Sequence, residues 1–154
     1  MNNKPEKYYA LNRKANFEYH ILETYESGLM LFGSEVKSIA ASRCSINDAY
    51  IIERNGELFI QNFHVAENQQ TGSYFQHDPL RLRKLLLHRR QIDTIIGKIN
   101  EDGCTAIVLN LHANNNKIKA LIAVAKGKNA VNKKNAIIER EAKREMSRAR
   151  RGDY

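Results

Sequence analysis

Residues 107–124 read IVLNLHANNNKIKALIAV, and they carry the clearest structural signal in the chain. Apolar residues recur at every second position over 107–112 and again over 117–124, which is the period of a half-buried strand. Asn114-Asn115-Asn116 stands between the two runs, and asparagine tolerates the left-handed backbone of tight turns. The stretch therefore predicts an antiparallel hairpin.

Other strands are predicted outward from this hairpin. Residues 49–52 and 58–60 flank Asn55-Gly56, the strongest two-residue hairpin signal. Phe17–Ile21 alternates, and Glu26-Ser27-Gly28 looks like a turn into a short strand, Leu29–Phe32. Closing such a set removes exposed strand edges. We therefore expect a mainly β fold, a small OB-like antiparallel barrel of about six strands.

About three helices are expected to flank the barrel. Ser34 is placed to cap a helix through about Ser42, with Glu35 in its first turn. Asp78-Pro79 has the composition of a helix start. One continuous helix from there would put Arg89 on an apolar face, which is costly. The pattern thus predicts two helices, 80–87 and 89–99, with a bend near His88.

Positive charge is concentrated in two segments of the 154-residue chain, whose formal net charge is +8. Residues 80–90 hold five Lys/Arg and no acid, and residues 126–154 hold ten Lys/Arg against four Asp/Glu, so the rest carries −3. Clustered Lys/Arg is typical of proteins that bind a phosphate backbone. A solvated helix face plus a tail explains the charge equally well, whereas an anionic membrane fits less well because few large apolar residues accompany it.

The last segment differs from the rest in pattern. Ile138, Ala142, Met146 and Ala149 form one narrow apolar stripe among charged residues. An isolated helix of this length is marginal in water. We expect a barrel domain over residues 1–130 and a basic tail over 131–154, disordered when free and helical on a partner.

Catalysis has little support in the sequence. The nucleotide-binding, serine-hydrolase and zinc-protease motifs are missing, and the five histidines are scattered. Cys44 and Cys104 are isolated, which favours reduced, half-buried thiols over a metal site. No apolar run is long enough to span a membrane, and residues 1–14 do not resemble a signal peptide. We expect a cytoplasmic protein that is not an enzyme and has neither cofactor nor metal.

Aromatic residues offer a further route to RNA, by stacking on unpaired bases. Ordinary packing is the favoured interpretation for Tyr8 and Tyr9, while the two interpretations are even for Tyr74 and Phe75 in the polar loop 66–77. On a helix, Arg81, Lys84 and His88 would share one face. A structural ribosomal protein and a small ribonuclease remain as alternatives to a dedicated RNA-binding factor.

Several blocks, in this order and spacing, are similar to the tmRNA-binding small protein B (SsrA-binding protein) family of bacterial ribosome rescue. They are Asn12-Arg13-Lys14-Ala15, Gly33-Ser34-Glu35-Val36-Lys37-Ser38, the run from His77 to His88, Ala125-Lys126-Gly127-Lys128, and Arg140-Glu141-Ala142-Lys143-Arg144-Glu145. The chain departs from the family pattern at Ala40, Ser42, His112-Ala113 and Val131-Asn132.

The resemblance implies an OB-like barrel that binds the tRNA-like domain of tmRNA. It also implies a tail that enters the empty mRNA channel of a stalled ribosome near the decoding centre, and delivery of alanyl-tmRNA with elongation factor Tu. By position, it assigns RNA contacts to Asn12, Arg13, Lys14, Glu35, Lys37, Ser38, Arg81, Arg83, Lys84, Lys126 and Lys128. It assigns ribosome contacts in the tail to Lys133, Lys134, Arg140, Lys143, Arg144 and Arg148.

Overall fold

The computed structural model describes residues 7–67, 76–101 and 103–128. Its strands are β1 (Lys7–Leu11), β2 (Tyr19–Leu29), β3 (Cys44–Ser45), β4 (Tyr50–Arg54), β5 (Glu57–Gln61), β6 (His64–Val65), β7 (Arg83–Leu86), β8 (Cys104–Asn114) and β9 (Lys117–Gly127). Its helices are α1 (Ala15–Glu18), α2 (Gly33–Ala40) and α3 (Arg89–Ile99).

Six strands close into a ring in the order β8-β4-β5-β7-β2-β9, because β9 pairs with β8 again. Every pairing is antiparallel, and β1 extends the ring by pairing with the second half of β8. The long strands β2 and β8 each shift register once, at Leu22 and Leu109. Such bulges increase local twist and help a sheet to close. The predicted barrel of about six strands is confirmed.

Both predicted hairpins are confirmed, and each has a two-residue turn. Asn55 (φ 54°) and Gly56 (φ 79°) join β4 to β5, while Asn115 (φ 52°) and Asn116 (φ 60°) join β8 to β9. Positive φ at both central residues is the geometry whose twist matches the flanking strands. The Asn and Gly residues at these turns therefore set the register of both hairpins.

The predicted helix over residues 80–87 is wrong, since this segment forms strand β7. Arg83 and Leu85 are fully buried, whereas Lys84 is half-buried and Leu86 is 49% exposed, which is the alternation of a strand. β7 bridges β5 and β2 and so completes the ring. The helical propensity of Leu, Lys and Arg is overridden because two neighbouring strands supply hydrogen-bond partners.

Two details of the predicted β2 region are also wrong. Phe17 lies in the helical turn α1, whose N–H groups bond the Lys14 carbonyl, and the strand begins at Tyr19. Glu26-Ser27-Gly28 is not a turn, because β2 continues through it to Leu29 with β9 as partner. The expected strand Leu29–Phe32 therefore shrinks to the last residue of β2.

The helices α2 and α3 agree with the prediction over most of their lengths. α3 spans the predicted 89–99, with His88 as its N-cap. α2 begins at Gly33, and its first turn is closed by the Glu35 carboxylate, which accepts from the Phe32 N–H at 2.8 Å. Ser34 does not cap this helix. Ser42 follows the helix with φ 58°, a left-handed conformation that glycine adopts at less cost.

The barrel interior and the inner face of α3 form one hydrophobic core. Phe63, Leu58, Leu111, Ile95 and Ile122 are among its fully buried members. Among the described residues, no helix is long and apolar enough to cross a membrane. The predicted loop residues Tyr74 and Phe75 and the whole predicted tail lie outside the described residues.

Candidate nucleic-acid interface

A cleft of about 610 Å³ lies between the end of β2, strand β7 and the start of α3. Leu86 is 49% exposed in this cleft. Lys84, Arg89 and Lys119 line it, and Glu26 adds a carboxylate. A concave surface with an exposed apolar side chain and several cations suits an RNA segment whose bases leave the stack.

Glu57 holds two of these cations in place without burying them. Its carboxylate lies 3.8 Å from Lys84 Nζ and 3.9 Å from Arg89 Nη1, and Arg89 also pairs with Asp93 at 3.0 Å. Exposed pairs of this kind are worth little in water. Lys84 and Arg89 are therefore available to exchange a carboxylate for a phosphate.

Beside the cleft, Glu35 forms a buried ion-pair cluster with Arg81 and Arg83. Glu35 Oε1 accepts from Arg81 Nη2 at 2.6 Å, and Oε2 accepts from Arg83 Nε at 2.5 Å. Arg83 also donates to the backbone carbonyls of Phe63, Pro79 and Asp78. Both Glu35 and Arg83 have no exposed surface, so neither side chain can touch RNA in this structure. The cluster joins α2 to β7 and thereby shapes the cleft edge.

The cluster keeps Glu35 ionised. Burial alone would raise the pKa of Glu35, but hydrogen bonds from Arg81, the Phe32 N–H and Arg83 together hold that pKa below its usual value. Arg81 is only partly covered, and its guanidinium carbon lies 4.1 Å from the centre of the exposed Phe32 ring. Of the predicted set at this end, Arg81, Lys84 and Lys37 thus retain accessible surface, while Ser38 is buried and donates to the Ala66 carbonyl.

The other predicted RNA contacts gather at the opposite end of the barrel. Lys126 pairs with His20 at the start of β2, and the Lys128 N–H donates to the Glu18 carbonyl at 2.9 Å. Arg13 and Lys14, both exposed, precede α1 directly. Lys128 Nζ donates to the Asn16 carbonyl at 3.1 Å, which brings the two basic blocks together.

Strand β2 separates these two groups. Its first residue, Tyr19, pairs with Gly127, and its last, Leu29, pairs with Leu85 of β7. Eleven strand residues at about 3.3 Å each span roughly 35 Å. The structure therefore divides the predicted set into an α2–β7 group and an α1–β9 group, and the contact of either group with RNA stays a prediction.

Two buried histidines have structural partners at both ring nitrogens. His77 lies between Ser34 Oγ (2.8 Å) and the Val65 carbonyl (2.9 Å), so it fastens α2 to β6. Asp78 Oδ1 accepts from the Leu80 N–H and forms a turn instead of the predicted helix cap. These contacts give Ser34 and His77 a packing role, because both are sealed from solvent.

His112, one of the departures from the family pattern, joins β8 to β2. Its Nε2 lies 2.9 Å from Glu26 Oε2, and its Nδ1 lies 2.7 Å from Asn110 Oδ1. The hydrogen bond from His112 lowers the pKa of Glu26, although burial opposes this, and Asn114 adds a second bond to the carboxylate. The network holds the Glu26 side chain at the cleft.

Two tyrosines of β1 and the two cysteines complete the residues considered from the sequence. Tyr9 packs on the core, and Tyr8 is 48% exposed with its ring 6.4 Å from that of His112. Cys44 and Cys104 are free, as predicted, and burial raises the pKa of the Cys44 thiol to about 11, against the opposing influence of Arg83.

The predicted RNA-binding set does not include four of the cleft residues, namely Leu86, Arg89, Lys119 and Glu26. The sequence pattern predicts a helix for Leu86, a helix for Arg89, a strand for Lys119 and a turn for Glu26. Arg83-Lys84-Leu85-Leu86 does not alternate between polar and apolar residues, so the sequence carries no strand signal here; the alternation appears only in the burial of the side chains. Only the pairing of β7 with β2 reveals that these side chains meet.

The fold and the site define a class: a small closed β-barrel with an open, cation-lined cleft on one side and a basic patch at the far end. Comparison with known proteins gives the family. The SmpB protein family matches residues 9–152, so this chain belongs to the SmpB family.

Relatives and a solved structure agree with this assignment. SsrA-binding proteins from Synechococcus sp. (strain JA-3-3Ab) and Desulforudis audaxviator are 48% and 45% identical. The first alignment covers 92% of each chain and the second 99% of each. A chain in the solved structure described as "tmRNA-SmpB: a journey to the center of the bacterial ribosome" is 38% identical, with a TM-score of 0.67, and the match covers 82% of this chain and 92% of that one.

Proposed function

We propose that this chain binds the tRNA-like domain of tmRNA and brings it to stalled ribosomes, where trans-translation rescues the ribosome and tags the nascent chain. The observation that carries the proposal is the family match over residues 9–152, together with relatives named SsrA-binding protein. The neighbouring solved structure concerns tmRNA-SmpB and the bacterial ribosome. The chain acts by binding, not by catalysis.

The cleft beside Leu86 supplies the tmRNA-binding surface in this proposal. Lys84, Arg89 and Lys119 meet phosphates, and Leu86 packs against an unstacked base. Glu35 and Arg83 act indirectly, by fixing the strand that carries Lys84 and Leu86. The accessible members of the predicted set, Arg81 and Lys37, extend the positive surface.

The basic tail faces the ribosome in this proposal, and we assign the α1–β9 group, which the family resemblance gives as tmRNA contacts, to the ribosome as well. Residues 131–154 fold as a helix in the empty mRNA channel, and Arg13, Lys14, Lys126 and Lys128 continue that basic surface onto the barrel. Alanyl-tmRNA arrives with elongation factor Tu, and the whole process is cytoplasmic. The opposite positions of the two groups along β2 support two different RNA partners.

A gel-shift series with the full chain tests the tmRNA proposal. We expect tight binding to tmRNA and weaker binding to an ordinary tRNA and to a duplex RNA of equal length. Equal affinity for all three at moderate salt would contradict it, because phosphate contacts alone do not discriminate. A chain lacking residues 131–154 should keep tmRNA affinity but lose tagging on stalled ribosomes.

A second assay separates this function from a structural ribosomal protein. A rescue factor should be present in far fewer copies than ribosomes in a gradient of purified particles, whereas a structural protein should accompany every subunit. Incubation of the pure chain with labelled RNA, with intact RNA as the expected result, tests the ribonuclease alternative.

A further inference from the structure

A small cavity of about 220 Å³ opens where β1 and β4 part from each other along β8. β4 pairs with β8 at Ile107, and β1 begins its pairing at Asn110. Asn12 occupies the gap: its N–H donates to the Leu109 carbonyl at 2.8 Å, and its Nδ2 donates to the Val108 carbonyl at 3.3 Å. The backbone carbonyls at this edge of β8 therefore have hydrogen-bond donors, and the cavity lies beside them.

The cavity contains one buried acceptor that lacks a donor, and two acidic residues lie beside it. Asn12 Oδ1 is buried and accepts no hydrogen bond, which is unusual because buried polar atoms are nearly always paired. Glu18, which is half-buried, and Asp48, which is exposed, also line the cavity, and neither has an ion-pair partner among the described residues. A ligand with N–H donors therefore suits this cavity.

The surroundings of the cavity are basic. Arg13 and Lys14 follow Asn12 directly, and the Lys128 N–H is bonded to the carbonyl of Glu18. These cations suit phosphates, whereas the carboxylates of the residues that line the cavity would repel them. An RNA strand satisfies both conditions when its phosphates lie on the rim and one base edge faces the carboxylates.

The size and the chemistry of the cavity select the base. At about 220 Å³ it is smaller than the roughly 300–1,000 Å³ typical of drug-sized ligands, which suits one ring system. Tyr19 and Tyr50 line it, and aromatic rings hold unpaired bases by stacking. Guanine alone among the four bases presents two adjacent donors, N1–H and N2–H2, on its Watson–Crick edge.

We propose that this cavity is a binding pocket for one unpaired guanine of an RNA strand. Asp48 and Glu18 accept from N1–H and N2–H2, Asn12 Oδ1 accepts a remaining donor, and Arg13 and Lys14 hold the flanking phosphates. The inference rests on the proposed function only in that its ligand is RNA, and it assigns a base-specific role to the α1–β9 end.

Fluorescence anisotropy with labelled pentamers tests the pocket in the full chain at low salt. The probes are UUGUU, UUAUU and UUIUU, where inosine (I) is guanosine without the N2 amino group. We expect UUGUU to bind about five- to tenfold more tightly than either other probe, the lower part of the range for specific base contacts. Asp48→Asn, at an exposed position, should remove this preference.

Two control variants separate base recognition from charge. Glu101→Gln also converts an exposed carboxylate to an amide, away from the cavity and the cleft, and should keep the preference for UUGUU. Arg13→Gln should lower the affinity of the chain for all three probes by the same factor. Equal binding of the three probes to the unaltered chain would show that the cavity does not bind guanine selectively. An unchanged preference in Asp48→Asn would show the same.

The outcome for tmRNA distinguishes the two proposals. If the chain binds tmRNA but shows no preference for UUGUU, only the guanine pocket fails. If the preference is present while tmRNA binds no better than tRNA, the pocket stands and the proposed function fails.

Discussion

The two ends of strand β2 use the same residue types in opposite ways. At the α2–β7 end, Glu35 and Arg83 are fully buried and paired, while at the α1–β9 end Arg13 and Lys126 are exposed. A buried pair fixes the positions of backbone segments, and exposed cations attract phosphates through solvent. The comparison teaches that a charged residue in an RNA-binding protein can contribute without touching RNA, by fixing the backbone that carries the contact residues.

The first prediction, with the largest expected effect, concerns the buried ion pairs of Glu35. Glu35→Gln removes the negative charge and turns an amide N–H2 toward Arg83 or Arg81, so a buried cation loses its partner. We expect a loss of about 3–5 kcal/mol in the free energy of unfolding, measured by urea denaturation. tmRNA affinity should fall with it, because the cleft edge loses its anchor.

Glu101→Gln is the matched control for this change. Glu101 is 56% exposed and lies 3.9 Å from Lys98, so its loss should alter stability by less than about 0.5 kcal/mol. A Glu35→Gln protein as stable as the Glu101→Gln protein would show that the buried cluster does not fasten α2 to β7.

The same comparison explains how far the sequence could predict this fold. The two hairpins depend on local chemistry, since Asn55-Gly56 and Asn115-Asn116 determine their own turns, and they are correct. β7 depends on strands β5 and β2, which lie far from it in sequence, so the local pattern of its Leu- and Arg-rich segment predicts a helix instead. Local signals cannot reveal partners of this kind.

The site shows the same division. Arg81 and Arg83 were found as basic residues, but their shared partner Glu35 lies 46 and 48 positions away, so burial of the cluster could not be predicted. Lys126 and Lys128 come from a family-like block beyond the predicted hairpin, which ends at residue 124, whereas in the structure β9 continues through Lys126 to Gly127. The cleft around Leu86 required the closed barrel.

The second prediction sharpens the role of the cleft. Leu86→Ala removes an exposed side chain, and should lower tmRNA affinity about tenfold or more if Leu86 packs against a base in a desolvated contact. Leu22→Ala is the matched control, because Leu22 is 46% exposed at the bulge of β2 and does not line the cleft. Equal tmRNA affinities of the two variants in gel shifts would show that Leu86 does not contact tmRNA.

The third prediction concerns the exposed end. Lys126→Ala should leave the unfolding free energy nearly unchanged, because the side chain is exposed. If Lys126 contacts a phosphate of the 30S subunit, affinity for that subunit should fall severalfold, and the slope of log K against log salt should become shallower by about 0.7–0.9. Lys98→Ala, on α3, is the control and should leave the slope unchanged.

The smallest expected effect concerns pH and Glu26. Because the pKa of Glu26 is lowered in the folded chain, its contribution is present above the ordinary carboxyl pKa of 4.5 and is lost as the pH falls through the lower folded value. Glu26→Gln should therefore reduce stability at pH 7 by less than about 1 kcal/mol, since the carboxylate is 41% exposed. The two proteins should converge in stability once the pH falls below the lowered pKa of Glu26, as measured by urea denaturation at each pH. A difference that grows on acidification would mean that His112 and Asn114 do not stabilise the ionised carboxylate.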